Sequence, residues 1–387
     1  MALNFSNLSP HYSTATLLPA DRTPHVTVST AATLESTASS WASDWSGTAS
    51  SLGIGTGVER IIAIDTSIST NVDLTSLVFP EMVWIVSADG TFSDEECSVK
   101  ITGELDATGS TKIGFGMLHC IGVRRLVVNG TTDCVISRCF LQGMTSATPS
   151  SMAISTRNYM IQLTGSLVTD LTIEDNRIGW AQYPILVQAA NDGLVIRRNC
   201  YDWIKSDNHQ FGSSGDNLVI QNNWAASNQT DDTSTSAHED FLQFRGPYDN
   251  VLVEGNVGYD FLGHGYFLEN GSETGNMFRN NLGVLCKRPV EGEETTPHDL
   301  GIGAQNGAHP EAFPATFWIT NPNNDFIGNV SAGSDGSGFW HLILTEVLDG
   351  AASSYVPGIQ PMGIFDDNKA HSNLFSWGVD GGVDRDS

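Results

Sequence analysis

The segment DLTIEDN at Asp170–Asn176 recurs along the middle of this chain as an apolar pair, a polar step and a closing Asn. The later copies are GLVIRRN (Gly193–Asn199), NLVIQNN (Asn217–Asn223), NVLVEGN (Asn250–Asn256) and NMFRNN (Asn276–Asn281). The closing Asn positions differ by 23 (176 to 199), 24 (199 to 223), 33 (223 to 256) and 25 (256 to 281). Strand-like segments with this period are typical of stacked coils, because a single coil cannot bury its own apolar face.

The repeat predicts an all-β fold, a right-handed single-stranded parallel β-helix with an N-terminal cap and loop inserts. The closing Asn suits a tight corner, because Asn tolerates the left-handed backbone conformation. Its side-chain amide can also bond to the equivalent Asn of the next coil and form a ladder along the solenoid. Such a rod presents a long, rigid outer wall on which a linear polymer can lie.

The remaining pattern divides the chain into a leader and cap over residues 1–50 and a parallel β-helix domain over residues 51–387. Thr30–Ser46 is the strongest helix candidate for the cap. Long segments interrupt the coils at Ala225–Ala237, Lys287–Pro314 and Leu348–Met362. Inserts on a repeat scaffold usually form the walls of a binding groove, so the site is expected where the first two inserts meet.

The charge balance restricts the partners of the chain. The sequence has 44 acidic and 18 basic residues, with a formal net charge of −26. Nucleic acid is therefore excluded as an expected partner, because binding it needs a basic face. No apolar run reaches the roughly 18 residues of a spanning helix, so no membrane span is expected. The sequence leaves the oligomeric state open.

The N-terminal segment and the cysteines bear on location. MALNFSNLSPHYS lacks the basic start and apolar core of a signal peptide, so no N-terminal signal is visible. We still expect an extracellular, cell-surface or virion-surface protein, given the predicted polymer-binding wall. The six cysteines form no CxxC pair, which argues against zinc. They are expected mainly as packed thiols, with a Cys120–Cys134 or Cys134–Cys139 bridge left open.

Three C-terminal stretches share a distinctive order of motifs. They are NVGYDFLGHGYFLENGSETGNMFRNNLGV (Asn256–Val284), FWITNPNNDFIGNVSAGSDGSGFWH (Phe317–His341) and DDNKAHSNLFSWG (Asp366–Gly378). This order resembles the β-helix region of the G8-domain proteins, the cell-migration-inducing hyaluronidase family and its bacterial relatives. The resemblance covers about a third of the chain, roughly Phe241–Gly378. It implies a β-helix and a glycan ligand, with a uronate-containing polysaccharide as the expected substrate class.

Chemistry-bearing residues are concentrated in three successive coils. AHEDFLQFRG at Ala237–Gly246 is the densest segment, DNHQFG precedes it by one coil, and GHGYFLEN follows it by one coil. Stacked coils lie about 4.8 Å apart, so these segments are expected to form one outer patch. The candidate catalytic residues are His209, His238, Asp240, Arg245, His264, Tyr266 and Glu269.

Two reactions fit these residue types. In β-elimination on a uronate, Arg245 would neutralise the carboxylate, His238 or His264 would remove the proton, and Tyr266 would protonate the leaving oxygen. An epimerase would share the first of these proton transfers. In glycoside hydrolysis, Asp240 and Glu269 would flank the scissile bond.

Structural roles are the alternative for the same side chains. Each His can cap a coil through a backbone carbonyl, Asp240 can brace a turn, and Arg245 with Glu269 can form a solvated ion pair.

Trp203 and Trp224 are 21 residues apart (203 to 224), which predicts a stacked pair in neighbouring coils. The candidate substrate-binding residues are Gln243, Trp203, Trp224, Tyr248 and Trp318, on which a sugar face can stack or bond.

Calcium is the one cofactor that the acidic loops suggest, through oxygen ligands from Asp207, Asp231 and Asp232.

The sequence as a whole predicts a carbohydrate-active β-helix protein that cleaves an extracellular polysaccharide by β-elimination or hydrolysis. The alternative is a non-catalytic glycan-binding adhesin or a phage tail-fibre or tailspike module.

Overall fold

A computed structural model describes residues 24–88, 99–122, 126–143, 159–204, 207, 209–226, 240–287, 314–348 and 356–381. The chain forms the predicted right-handed parallel β-helix, in which strands of consecutive coils pair in parallel. Each regular coil passes through three long sheets, here named sheets A, B and C, and several coils add a fourth short sheet, D, between C and A.

Sheet A comprises β1 (Val26–Val28), β2 (Arg60–Ile64), β4 (Val78–Ser87), β7 (Thr111–Gly116), β10 (Val135–Ser137), β14 (Thr172–Glu174), β18 (Val195–Arg197), β22 (Val219–Gln221), β26 (Leu252–Glu254), β29 (Met277–Arg279), β32 (Asp325–Ile327) and β35 (Phe365–Asp366). Sheet B comprises β5 (Lys100–Ile101), β8 (His119–Ile121), β11 (Phe140–Gln142), β15 (Arg177–Ala181), β19 (Cys200–Ile204), β23 (Trp224–Ala226), β27 (Val257–Phe261), β30 (Leu282–Cys286), β33 (Val330–Ala332) and β36 (Lys369–His371).

Sheet C comprises β3 (Val72–Asp73), β6 (Leu105–Asp106), β9 (Leu126–Val127), β12 (Tyr159–Leu163), β16 (Tyr183–Val187), β20 (His209–Phe211), β24 (Leu242–Phe244), β28 (Tyr266–Leu268), β31 (Ala315–Ile319), β34 (Ser337–Ile343) and β37 (Phe375–Gly381). Sheet D comprises β13 (Val168–Thr169), β17 (Asn191–Asp192), β21 (Gly215–Asp216) and β25 (Tyr248–Asp249).

The predicted cap is a pair of helices, α1 (Ala31–Ser43) and α2 (Trp45–Leu52). Thr30 starts α1 with a capping box, because its hydroxyl accepts the N–H of Thr33 and the Thr33 hydroxyl accepts the N–H of Thr30. Helical spacing brings three apolar side chains onto the buried face of α1, where they join the core of the first coils: Leu34, Ala38 and Trp41.

The predicted Asn ladder runs along the corner between sheets A and B. The amide Nδ2 of Asn199 donates to Oδ1 of Asn223 over 3.1 Å, and that of Asn223 donates to Oδ1 of Asn256 over 3.0 Å. The same bond joins every neighbouring pair in the series Asn176, Asn199, Asn223, Asn256, Asn281, Asn329 and Asn368. Each Oδ1 also accepts the backbone N–H of the preceding ladder Asn, so the corner satisfies its polar groups internally.

The left-handed residue at this corner is not the ladder Asn, which corrects one detail of the prediction. Positive φ falls on the residue before each ladder Asn: Asp175, Arg198, Asn222, Gly255, Asn280, Gly328 and Asp367. The ladder Asn follows the bend and turns its amide inward, where hydrogen bonding along the stack holds it.

The described cysteines Cys120, Cys134, Cys139, Cys200 and Cys286 are buried free thiols, so neither of the bridges left open by the sequence forms. Burial raises the pKa of the Cys286 thiol to about 12 and that of Cys134 to about 11. In the described part of the chain, neither helix is long and apolar enough to cross a membrane.

Two of the three long inserts occur at the same point of the coil. Residues 227–239 and 288–313 each connect a strand of sheet B to the next strand of sheet C, namely β23 to β24 and β30 to β31. Residues 349–355 follow β34 of sheet C. These three segments lie outside the described residues, so the prediction that inserts form groove walls stays a prediction.

Candidate functional site

The candidate site lies on the outer face of sheet C, where β20, β24, β28 and β31 stack side by side. Side chains alternate along a strand, so each strand contributes to an inner and an outer row. The inner row contains His209, Leu242, Tyr266 and Phe317, which pair in register and are buried. The outer row contains Gln210, Gln243, Phe267 and Trp318.

Two carboxylates and a histidine occupy equivalent positions at the corner that leads into sheet C. Oδ1 of Asp207 accepts the N–H of Asp240 at 3.2 Å, and Oδ1 of Asp240 accepts the N–H of His264 at 2.7 Å. All three residues are at most 1% exposed. Each carboxylate therefore satisfies a backbone donor of the next coil, and this bond fixes its position.

The His264 ring is held from two sides. Its Nδ1 accepts the N–H of Ala315 at 3.0 Å, which places the proton of the neutral ring on Nε2. The ring packs against Phe267 and Trp318, with centroid separations of 4.6 and 4.5 Å. His264 is therefore oriented as a hydrogen-bond donor through Nε2, and not as a base through Nδ1.

A chain of hydrogen bonds crosses the outer face from the entry of the strands to their exit. Nε2 of Gln210 donates to Asp207 at 2.8 Å and to Oε1 of Gln243 at 2.9 Å. Nε2 of Gln243 in turn donates to Oε2 of Glu269 at 3.2 Å, and Glu269 forms an ion pair with Nε of Arg245 at 3.1 Å. The predicted patch thus contains Asp207, Asp240, Gln243, Arg245, His264 and Glu269, together with Gln210.

Glu273 is a buried acid beside this network that the sequence reasoning missed. Its Oε1 accepts the N–H of Asn270 at 3.2 Å, and its Oε2 is buried without a hydrogen-bond partner. Burial raises the pKa of Glu273 to about 8, and the nearby Glu269 charge adds to this rise. Glu273 therefore retains its proton near neutral pH, next to the Glu269 carboxylate that is paired with Arg245. No local sequence signal distinguishes it from an ordinary loop Glu.

Three of the predicted site residues point into the solenoid, which contradicts their placement on the outer wall. His209 is fully buried, with Nε2 2.9 Å from the Tyr201 hydroxyl and Nδ1 3.1 Å from the Phe241 carbonyl, and burial lowers its pKa to about 4. The Tyr266 hydroxyl donates to the Asn256 carbonyl at 3.1 Å in the core. The Tyr248 hydroxyl accepts from Asn191 at 3.2 Å, also in the core. A proton-donating role for Tyr266 and a substrate-binding role for Tyr248 are both wrong.

The predicted Trp203–Trp224 stack is also wrong. Cys200 pairs with Trp224 in the register of sheet B, because the coil there is 24 residues long (200 to 224) and not 21. Trp203 instead occupies the position equivalent to Trp180, since Gly179 pairs with Asp202 and Ala181 with Ile204. Trp318 lies on the outer face of sheet C as required, but it is only 2% exposed.

Of the three predicted calcium ligands, the structure describes only Asp207. Asp231 and Asp232 lie outside the described residues, as does His238. The carboxylate of Asp207 is committed to hydrogen bonds with Asp240 and Gln210. Over the described ranges, no group of three or more His, Cys, Asp or Glu side chains is arranged to hold a metal ion.

The two carboxylates proposed for hydrolysis lie at opposite ends of the site. Asp240 is equivalent to His264, so Glu269 lies five positions further along the neighbouring strand (264 to 269). Gln243 lies between them and bonds to Glu269. At about 3.3 Å per residue, five positions separate the two backbones by roughly 16 Å along the strand direction, so the offset does not assign either the retaining or the inverting spacing.

A cleft of about 550 Å³ lies toward the C-terminus, at the corner between sheets B and C. It is lined by Ser334, Asp335, Ser372, Asn373 and Leu374. Ser334 links the cleft to the site, because its hydroxyl donates to the carbonyl of Pro314, the residue before Ala315.

The C-terminal part of the chain has identifiable relatives. Residues 247–378 match the CEMIP beta-helix family. The matched stretch includes His264, Glu269 and Trp318 and begins after Asp240 and Arg245. The resemblance inferred from the motif order is confirmed.

Two relatives carry a hyaluronidase name. The chain is 36% identical over 136 residues to the human protein "Cell surface hyaluronidase CEMIP2" and 34% identical over 138 residues to "Cell surface hyaluronidase" of Danio rerio. Human "Fibrocystin-L" is 33% identical over 127 residues. Each alignment covers 32% of this chain, and it covers 10% of each of the first two relatives and 3% of the third. The chain thus spans about a tenth of the hyaluronidase-named relatives.

Solved structures match over more of the chain but at lower similarity. "Geobacillus virus E2 - ORF18" has a TM-score of 0.39 and 10% identity, and covers 84% of this chain and 54% of its own. A DFA-IIIase from Arthrobacter chlorophenolicus A6 has a TM-score of 0.35 and 13% identity, and covers 84% of this chain and 72% of its own.

Proposed function

We propose that this chain is a polysaccharide-cleaving β-helix domain that hydrolyses glycosidic bonds on the outer face of sheet C. The observation that carries the proposal is the buried carboxylate network of Asp207, Asp240 and Glu269, held on the outer face beside His264. Side chains on an outer face are usually solvated, and burying several acids there costs folding free energy. Buried acids of this kind are concentrated at functional sites.

Asp240 and Glu269 are the proposed carboxylate pair, one to activate water and one to assist departure of the leaving group. His264 is positioned to donate a hydrogen bond through Nε2. Arg245 is paired with Glu269 at 3.1 Å and so fixes the orientation of that carboxylate.

Hydrolysis is favoured over β-elimination on the same geometry. Elimination needs a cation for the uronate carboxylate, a base and a proton donor. Arg245 already neutralises Glu269, Tyr266 is in the core, and the backbone N–H of Ala315 occupies Nδ1 of His264. Each of these three groups is therefore less available for elimination than the sequence suggested.

A uronate-containing extracellular polysaccharide is the proposed substrate class. Its support is the match of residues 247–378 to a family with relatives named as cell surface hyaluronidases. The same names support a location outside the cell or on its surface. Calcium stays a proposed cofactor, with Asp231 and Asp232 as the candidate ligands.

The test is a panel of polymers that includes hyaluronan, incubated with the chain in calcium or in EDTA. Release of reducing ends without the absorbance of unsaturated uronates supports hydrolysis, and both signals together support elimination. Retention of a polymer with neither signal supports a glycan-binding adhesin. Loss of activity in EDTA supports the calcium proposal, and full activity there argues against it.

Glu269→Gln and Glu174→Gln form a matched pair for this test. Both glutamates are similarly buried, at 7% and 6% exposure, and both pair with arginine, but Glu174 lies on sheet A, away from the site. We expect Glu269→Gln to lower kcat by about 10²–10⁴-fold and Glu174→Gln to leave it unchanged. Equal effects of the two substitutions would indicate a role in folding and not in catalysis.

A further inference from the structure

The strands of sheet B end in a row of left-handed residues that runs along the corner toward sheet C. Register pairs show that these residues are equivalent from coil to coil. Positive φ is found at Gly122, Trp180, Trp203, Asp260, Leu285, Gly333 and Ser372.

Three bulky members of this row are unexpected at such positions, namely Leu285 and the two aromatic residues Trp180 and Trp203. The φ angles of Trp180 and Trp203 are 49° and 55°, a region that bulky side chains avoid because Cβ approaches the following carbonyl. The corresponding row before the ladder Asn residues is filled mainly by Asp, Asn and Gly, which adopt this conformation at lower cost. Large residues kept in a disfavoured conformation are a reason to look for function.

The Trp180 ring packs against neighbouring side chains, and the positive charge of nearby Arg177 is paired with an acid. The Phe140 ring contacts it edge-on with centroids 6.4 Å apart, and Cζ of Arg177 lies 5.8 Å from the Trp180 centroid. Arg177 also forms an ion pair with Asp202 at 3.0 Å. The surface around Trp180 is therefore rigid and locally neutral, while Trp180 and Trp203 both remain partly exposed.

Trp203 is close in sequence to Asp207, the first residue of the carboxylate network, and Trp180 lies one coil further from that network. Trp203 precedes Asp207 by four residues in the same coil (203 to 207), with one residue on the sheet B side of the corner and the other on the sheet C side. Asp240 and His264 lie one and two coils further along the axis. At about 4.8 Å per coil, His264 is displaced from the Trp203 coil by roughly 10 Å along the axis.

We propose that Trp180 and Trp203 form an aromatic platform that binds the face of a sugar ring beside the carboxylate network. Aromatic rings offer a flat apolar surface for the C–H groups of a pyranose, and two rings in consecutive coils extend that surface along the axis. Because Arg177 is already paired, the platform takes the sugar by its face and does not select for its charge. The inference rests on the proposed function and adds a binding subsite to it.

The test replaces each platform Trp by Asn, which suits the left-handed conformation, so that loss of the ring does not add backbone strain. Trp377→Asn is the control, because Trp377 is an exposed Trp at the C-terminal end of sheet C and lies outside the left-handed row. Every variant is made in an Asp240→Asn background, so that binding is measured without turnover. Affinity is measured on an array of oligosaccharides that includes hyaluronan fragments, and the thermal midpoint of each variant is recorded.

We expect Trp180→Asn and Trp203→Asn each to weaken glycan binding about tenfold, with thermal midpoints equal to or above that of the parent. Trp377→Asn should bind as the parent does. Unchanged affinity in both platform variants, an equal loss in the control, or absence of binding to the whole array would overturn the proposal. If the parent chain releases no reducing ends but its glycan binding still depends on Trp180 and Trp203, the binding platform is supported and the proposed hydrolase activity is refuted.

Discussion

Asn223→Ala tests how far the Asn ladder stabilises the coil stack. The side chain of Asn223 donates to the Ile196 carbonyl at 2.9 Å and to Asn256 at 3.0 Å, and it accepts from both the N–H and the Nδ2 of Asn199. Removing it leaves the buried N–H of Asn199 without this partner, at a cost of about 1–3 kcal/mol, and each other lost bond costs about 1 kcal/mol. With three other bonds lost, we expect a loss of roughly 4–6 kcal/mol in the free energy of unfolding.

Asn368→Ala is the matched control at the end of the ladder. Asn368 makes the same bonds to Asn329 and a carbonyl, but it is partly exposed and water can replace them, so about 1 kcal/mol is expected. Chemical unfolding followed by circular dichroism gives the difference, and hydrogen exchange locates it. Equal losses for the two variants would refute the argument that burial of the ladder sets its contribution.

The other predictions concern pH and packing. Burial lowers the pKa of His209 to about 4, so on acidification the unfolded chain binds this proton before the folded chain does. The free energy of unfolding should therefore decrease as pH falls from about 6.5 to 4. His209→Phe should reduce that decrease, as measured by thermal midpoints at a series of pH values. Glu273 has a pKa raised to about 8, so stability should fall as pH rises from about 4.5 to 8, and a wild-type slope in Glu273→Gln would contradict this assignment. Gly246→Ala should destabilise strongly, because its Cβ would lie 1.8 Å from the Ser213 carbonyl oxygen, whereas Gly57→Ala meets nothing within 4 Å and should be neutral by the same melting assay.

The fold was predictable because the repeat encodes it directly. Asn199, Asn223 and Asn256 mark one corner of successive coils, and the spacing between them is the length of a coil. The left-handed residue was misplaced by one position, because a left-handed bend and a buried amide ladder both favour Asn. The sequence alone does not separate these two demands when Asn222 and Asn223 are adjacent.

The site was predictable in part, and the errors have identifiable causes. His209 was grouped with His264 because both lie near the same corner, but His209 is within a strand and His264 precedes one. The alternation in HQF, LQF, YFL and FWI does reveal the inner row, since the first and third positions pair in register. Comparing these triplets would have placed His209 and Tyr266 in the core.

Distances across the stack were harder to infer. The 21-residue interval from Trp203 to Trp224 is close to a coil, but the register of sheet B advances by 24 residues there (200 to 224). An error of three residues changes which side chains are neighbours, so a pairing inferred from spacing alone fails. Glu273 escaped notice for a different reason, because only its burial makes it unusual.

The Asn ladder tolerates great variation in the length of the chain between its members. Neighbouring ladder residues are separated by 23, 24, 33, 25, 48 and 39 positions, yet the bond between them keeps a length of 2.9–3.1 Å. The extra residues of the 33- and 48-residue intervals come, in chain order, after a strand of sheet B and directly before Asp240 and Pro314, respectively. Loop exchange at this corner should therefore redirect substrate preference without rebuilding the rod, which makes the chain a natural starting point for engineering.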